Sequence, residues 1–214
     1  HWRYAEMKVS SPQFKQKSVI ALADPRLRQA LGQSRKGFVN KRAELVGALP
    51  EFEQLRDEAR DLKNHVLDNL DHYLERYEAA VTAAGGHVHW ARDDEEARSI
   101  ILNICQRVNA KTITKGKSMV SEEIGLNEAL EAKGYTVVET DLGEYIIQLA
   151  HEPPSHIIAP AIHKTKEQVS ELFEAAHVGP RKTSVADLVT ESRLVLRDKY
   201  FQADVGITGG NFLV

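Results

Sequence analysis

Residues 111–164 read KTITKGKSMVSEEIGLNEALEAKGYTVVETDLGEYIIQLAHEPPSHIIAPAIHK, and the fold is decided here. Three short runs are rich in β-branched residues: Thr112–Thr114, Tyr135–Glu139 and His156–Ala159. An amphipathic segment, Ser121–Lys133, separates the first two. Short apolar strands alternating with helical patterns indicate βαβ units, hence an α/β fold with a mostly parallel sheet and flanking helices. In such a sheet ligands bind in the crevice outside the carboxyl ends of the strands. The residues that follow the three runs are polar or cationic: Lys115-Gly116-Lys117-Ser118, then Thr140-Asp141, then Pro160 through His163-Lys164.

Upstream, His87–Ala91 is a candidate first strand. Asp93 or Asp94 then caps a helix with Ala97, Ile100, Ile101, Ile104, Cys105 and Val108 on one stripe. Cys105 lies on that stripe and reads as a small core residue, since reactive thiols need partly exposed, electropositive surroundings. Downstream, Lys164–Ala176 is helical, and Ser184 with Asp187 opens a helix running to about Tyr200. Asp204–Thr208 is a further strand, ending in Gly209-Gly210-Asn211.

The chain divides by pattern into a helical arm, 1–84, and an α/β domain, 85–214. Met7 reads as a native start, and Glu51–Ala84 is one strong helical stretch closed by Gly85-Gly86. Charge follows the same division. Residues 1–42 carry a net +8 and the remainder a net −11, within a total of −3. A basic arm of this kind is expected to dock on an acidic surface or partner. Nucleic acid is disfavoured, because the arm lacks interleaved aromatics and the body is acidic. At 42% apolar residues, with no run near the ~18 that a membrane span needs, the composition indicates a globular cytoplasmic protein. The single cysteine excludes an internal disulfide and any thiolate cluster built by this segment alone.

Each motif has a bland reading beside the sharp one. Gly116-Lys117-Ser118 lacks the glycine five positions earlier that a P-loop needs, because position 111 is lysine. What remains is an anion contact at Lys117 and Ser118, against a solvated lysine beside ordinary serine capping. Glu122 is either a polar anchor in the crevice or a first-turn acid complementing the helix dipole. Histidines 65, 72, 87, 89, 156 and 163 are scattered without a third ligand, so no metal is expected in this segment. No Gly-x-Ser-x-Gly or Gly-x-Gly-x-x-Gly pattern supports an esterase or a Rossmann dehydrogenase. The candidate ligand-binding set is Lys117, Ser118, Glu122, Asp141, Glu144, His163, Gly209, Gly210 and Asn211, with no catalytic residue assigned. Phe212-Leu213-Val214 close the sequence on an apolar run, from which we expect further chain beyond it. Association through this end, as a homo-oligomer, is the corresponding expectation.

Taken together, KGKSMVSEEIGLNEAL, VVETDLGEYIIQLAHEPPSHIIAPAIHKTKEQV and ADVGITGGNFLV resemble the lactate-utilization protein B family of the LUD domain superfamily. The resemblance covers the chain from about Met7. It implies a sheet related to the ribose-5-phosphate isomerase, CoA-transferase and 5-formyltetrahydrofolate cyclo-ligase folds. It also implies an electron-transfer role in oxidising L-lactate to pyruvate with companion subunits. The family carries 4Fe-4S clusters on cysteines of a C-terminal segment. This chain has one cysteine, so clusters are expected in the full-length protein and not here. The alternatives are a stand-alone small-molecule enzyme similar to the cyclo-ligases or CoA transferases, and a docking module.

Overall fold

Three short parallel strands, β1 (Thr112–Lys115), β2 (Thr136–Glu139) and β3 (Val205–Ile207), form a sheet in the order β2-β1-β3. The computed structural model describes residues 11–155 and 159–210. The strand expected at His156–Ala159 falls on 156–158 and, like Asn211 and Phe212–Val214, lies outside the described residues. β1 is central and buried on both faces, with Ile113, Thr114 and Lys115 all nearly inaccessible. That is why its sequence is a continuous β-branched run and not an alternation. Ile113 lies opposite Val137 and Val205, and Lys115 opposite Glu139 and Ile207. At the amino edge Asp204 accepts hydrogen bonds from the Lys111 and Thr112 amides at 2.7 and 2.9 Å, which tie β3 to β1. Those bonds hold the Asp204 carboxyl below its ordinary value.

The chain divides into two compact units. One takes residues up to 33 together with those from 93 onward, and the other spans 34–92. The first contains α1 (Phe14–Ala23) and most of α2 (Pro25–Ser34). Phe14, Val19, Ile20 and Leu22 on α1 are largely exposed. The second unit contains α3 (Lys41–Gly47), α4 (Phe52–Asp68) and α5 (Leu70–Ala83), and ends in an irregular segment. The single helix expected over Glu51–Ala84 is therefore two. Asn69 leaves helical geometry at the break, and its side-chain amide donates to the His65 carbonyl at 2.8 Å. Gly85, at φ +85°, ends α5 in the left-handed conformation that glycine adopts without cost.

The sheet is covered on both faces. α6 (Asp94–Arg107) begins at Asp93, whose carboxylate accepts from the Glu96 amide at 2.8 Å. With α7 (Met119–Glu123) and α8 (Leu126–Ala132) it borders one cluster: Cys105, Ala110, Ile113, Leu126, Leu130 and Val137. Cys105 is fully buried there, as its stripe predicts, and burial pushes its thiol up. Val108, expected on the same stripe, is instead about half exposed just past the helix end. The opposite face packs α9 (Leu142–Ala150), α10 (Lys166–Ala176) and α11 (Val185–Gln202). Val138, Tyr145, Ile146, Phe173, Leu188 and Leu196 make that second cluster. Its buried histidine, His177, bonds Tyr145 Oη at 2.9 Å and Glu191 Oε1 at 2.7 Å, a structural role.

Two expectations are corrected. His87–Ala91 forms no strand: His87, His89 and Trp90 are exposed, so the segment has no buried face to fix it against the sheet. The helix expected over Ser121–Lys133 is broken between α7 and α8, where Gly125 adopts φ +60°. Starting at Met119 and capped by Ser118, the chain turns before the second half packs on β1 and β2.

Candidate functional site

Parallel pairing brings the ends of β1 and β2 together, and with them two charged side chains. Lys115 closes β1 and Glu139 closes β2, directly opposite one another. Their side chains meet at 2.8 Å and are 1% and 4% exposed. Lys115 Nζ also donates to Ser121 Oγ at 3.1 Å, and Asn127 Nδ2 donates to Glu139 Oε1 at 2.8 Å. Two acceptors of this network, Glu139 Oε2 and Asn127 Oδ1, are buried without a hydrogen-bond partner. A group with protons to donate is what such acceptors lack. The sequence pattern places Lys115 just after the first strand; it is the last residue of β1, and its ammonium is inside.

The loop after β1 contributes Lys117 and Ser118. Ser118 caps α7, its hydroxyl accepting from the Ser121 amide at 3.2 Å. Lys117 Nζ is buried without a hydrogen-bond partner, and Glu144 Oε1 lies 3.7 Å away, beyond hydrogen-bond length. An oxygen atom from a ligand can sit at about 2.8 Å from both groups at this separation. Glu144 is nearly buried in the first turn of α9, and burial above all pushes its carboxyl up to about 7. Glu122 and Glu139 push it the same way, against Lys117 and Lys115. Glu122 is also raised, chiefly by burial, with Lys115 opposing. A carboxyl poised near neutrality beside a buried amine can give or take a proton at physiological pH.

The third wall comes from the end of β3. Gly116 N donates to the Ile207 carbonyl at 2.7 Å, and a side chain at Gly209 would meet Ser118 Cβ at 2.8 Å and its Oγ at 2.9 Å. Only glycine lets the two loops approach so closely. Lys117, Ser118, Glu122, Glu144 and Gly209 thus belong to one neighbourhood, along with Lys115, Glu139, Ser121 and Asn127, which sequence reasoning missed.

The other candidates sit elsewhere or are otherwise engaged. Asp141 Oδ1 caps α9, accepting from the amides of Gly143 and Glu144 at 3.0 and 3.2 Å. His163 Nε2 bonds Glu152 Oε2 at 2.8 Å, and its Nδ1 bonds Ser155 Oγ at 2.7 Å. Lys164 Nζ reaches Glu152 Oε1 at 2.5 Å. Burial works against the Glu152 charge, but the hydrogen bonds from Lys164 and His163 outweigh it and hold the carboxyl low. Gly210 is exposed, and Asn211 lies outside the described residues. Among the described residues no group of three His, Cys, Asp or Glu side chains could hold a metal ion. No helix among them is long and apolar enough to cross a membrane.

Residues 74–214 match the LUD domain family. The chain is 44% identical over 210 residues to "Lactate utilization protein B" of Bacillus licheniformis, and 42% identical over 209 residues to the protein of that name from Bacillus subtilis (strain 168). It is 40% identical over 210 residues to "Uncharacterized electron transport protein YkgF" of Escherichia coli (strain K12). These alignments take in 97% of this chain but 44% of each relative, so the chain spans less than half the length of the curated relatives it matches. No solved structure matches.

Proposed function

The chain belongs to the LUD domain family, and from that premise we propose that it is the LUD portion of an electron-transfer subunit in a cytoplasmic system oxidising L-lactate to pyruvate. The carrying observation is the 40–44% identity, over 97% of the chain, to relatives named for lactate utilization and for electron transport. The oxidation releases two electrons and two protons per lactate. A subunit of this kind passes the electrons on, in company with other lactate-utilization subunits. The basic stretch 1–42 of the helical arm 1–84 docks on those companions, and 85–214 is the domain that offers the carboxyl-edge crevice. Self-association through the C-terminal end belongs to the same reading.

Iron–sulfur clusters do not fit the residues in hand. Cys105 is the single cysteine and is fully buried, whereas a cluster takes about four thiolates. The 4Fe-4S clusters of this reading are therefore assigned to the part of the relatives' length that the chain does not span, and no step is derived through them here.

A second reading is favoured by one observation, the Lys117–Glu144 pair with Glu122 and Ser118 around it. Such a cluster suits a small-molecule enzyme similar to cyclo-ligases or CoA transferases, with Lys117, Ser118, Glu122, Glu144 and Gly209 as the ligand set. Purification of the tagged protein from its host separates the two readings. Co-elution of lactate-utilization companions with stoichiometric iron and acid-labile sulfide supports the first. A lone protein without iron, turning over a small substrate, overturns it.

A further inference from the structure

α11 runs past the end of β2, and the space between them is a cavity of about 430 Å³. One wall is Thr140 and Leu142, the residues that leave β2 and open α9. The other is a ridge of α11 formed by Arg193, Leu196, Arg197 and Tyr200, with Phe201 beside it. The cavity is separate from the Lys117–Glu144 pair, none of whose residues lines it. Its size lies in the range of small-molecule sites, about 300–1,000 Å³, and is several times what a free phosphate or a three-carbon acid fills.

The lining has two chemistries. Arg193 and Arg197 stand one helical turn apart, and neither enters an ion pair with a described residue. Of the acids on this helix, Glu191 is engaged with His177 and Asp187 with Ser184, while Asp198, next in sequence to Arg197, is exposed. Two guanidinium forks on one rim, neither held in an ion pair with a described residue, match the oxygens of a phosphate monoester. Apart from Thr140 and Ser192, the remainder is apolar and aromatic. Arg197 lies 5.7 Å from the centre of the Phe201 ring, and Tyr200 is 64% exposed beside it. Exposed aromatics next to an apolar floor of Leu142 and Leu196 accept a planar ring. Thr140, which lines the cavity, donates its hydroxyl proton to the Lys115 carbonyl at 3.0 Å, which leaves its oxygen free to accept.

We propose that this cavity binds a mononucleotide, its phosphate on Arg193 and Arg197 and its ring against Leu142, Leu196, Tyr200 and Phe201. The proposal stands apart from the lactate reading, because it rests on the lining of this cavity by α11, Thr140 and Leu142 alone.

The test is calorimetric titration of the protein purified from its host with AMP and with FMN, set beside inorganic phosphate, adenosine and riboflavin. At least one mononucleotide should bind with a dissociation constant on the order of 10 µM. Phosphate alone and the matching nucleoside should each bind at least about tenfold more weakly, since each fills one half of the site. The pair Arg193→Met with Arg197→Met should weaken binding by about tenfold or more, and Arg193→Lys with Arg197→Lys by a smaller factor. Both arginines are exposed, so the far-UV spectrum of these variants should be unchanged. Three results overturn the proposal. The first is no binding of either mononucleotide at about 1 mM, as when the protein's own chain fills the cavity. The second is phosphate binding as tightly as AMP or FMN, and the third is undiminished affinity in the methionine pair.

Discussion

Lys115 and Glu139 are partners across the parallel ladder of β1 and β2, and their side chains meet at 2.8 Å in almost complete burial. The charges are out of water, so each depends on the other. Removing one partner should cost about 3–5 kcal/mol, because it leaves a buried charge uncompensated. Lys115→Met and Glu139→Gln should each lower the urea midpoint accordingly. The double replacement Lys115→Met with Glu139→Leu should recover most of the loss, since apolar residues of like volume can stand in for a buried pair. Additive losses in the double variant would refute the mutual dependence.

Glu144 and Glu131 are both carried up to about 7, burial being the chief cause for each and Glu128 adding to it at Glu131. A carboxyl with a raised folded value holds its proton longer in the native state than in the unfolded one. Its contribution to stability is full below the unfolded value of 4.5 and is lost as pH rises through about 7. Glu144→Gln combined with Glu131→Gln should therefore flatten the fall in stability between pH 5 and 7.5, read from urea midpoints. An unchanged fall would count against the raised values.

Lys117 is among the groups that hold the Glu144 carboxyl down. Lys117→Met should move its titration, followed by carboxyl-carbon NMR, upward from about 7. A downward move, or none, would mean that the two groups do not sense one another across 3.7 Å.

Glycine matters at two contacts of the carboxyl edge. A Cβ at Gly209 would stand 3.0 Å from Ser118 Cα, and one at Gly143 would stand 2.9 Å from the Pro160 ring. Neither neighbour can swing aside, so Gly209→Ala and Gly143→Ala should each cost about 1–3 kcal/mol. Gly32→Ala meets nothing within 4 Å inside α2 and should stabilise by about 0.4–1 kcal/mol. Equal effects at all three positions in thermal melts would contradict the packing of the loops after β1 and β3.

Much of the sheet was legible because β-branched runs and helix starts are local signals. Thr112–Thr114, Tyr135–Glu139 and Asp204–Thr208 lie within a residue or so of β1, β2 and β3, and Ser184 and Asp93 cap the helices expected of them. α9 was not legible as a helix, since over nine residues the apolar run Tyr145-Ile146-Ile147 reads equally as a buried strand. His87–Ala91 misled for the opposite reason. It alternates like a strand, but alternation does not show whether a partner strand exists. The site was half legible. Lys117 and Ser118 announce themselves after a strand, whereas Lys115, Glu139 and Asn127 become a cluster only once the register pairs β1 with β2. The one available signal was that both strands end in a charged residue, of opposite sign.

The central claim is participation in L-lactate oxidation, and L-lactate-dependent reduction of an artificial electron acceptor in host extracts tests it most directly. The account predicts that the activity disappears when the gene for this protein is deleted and returns when the wild-type protein is supplied. Undiminished lactate-dependent reduction in the deletion strain would contradict it.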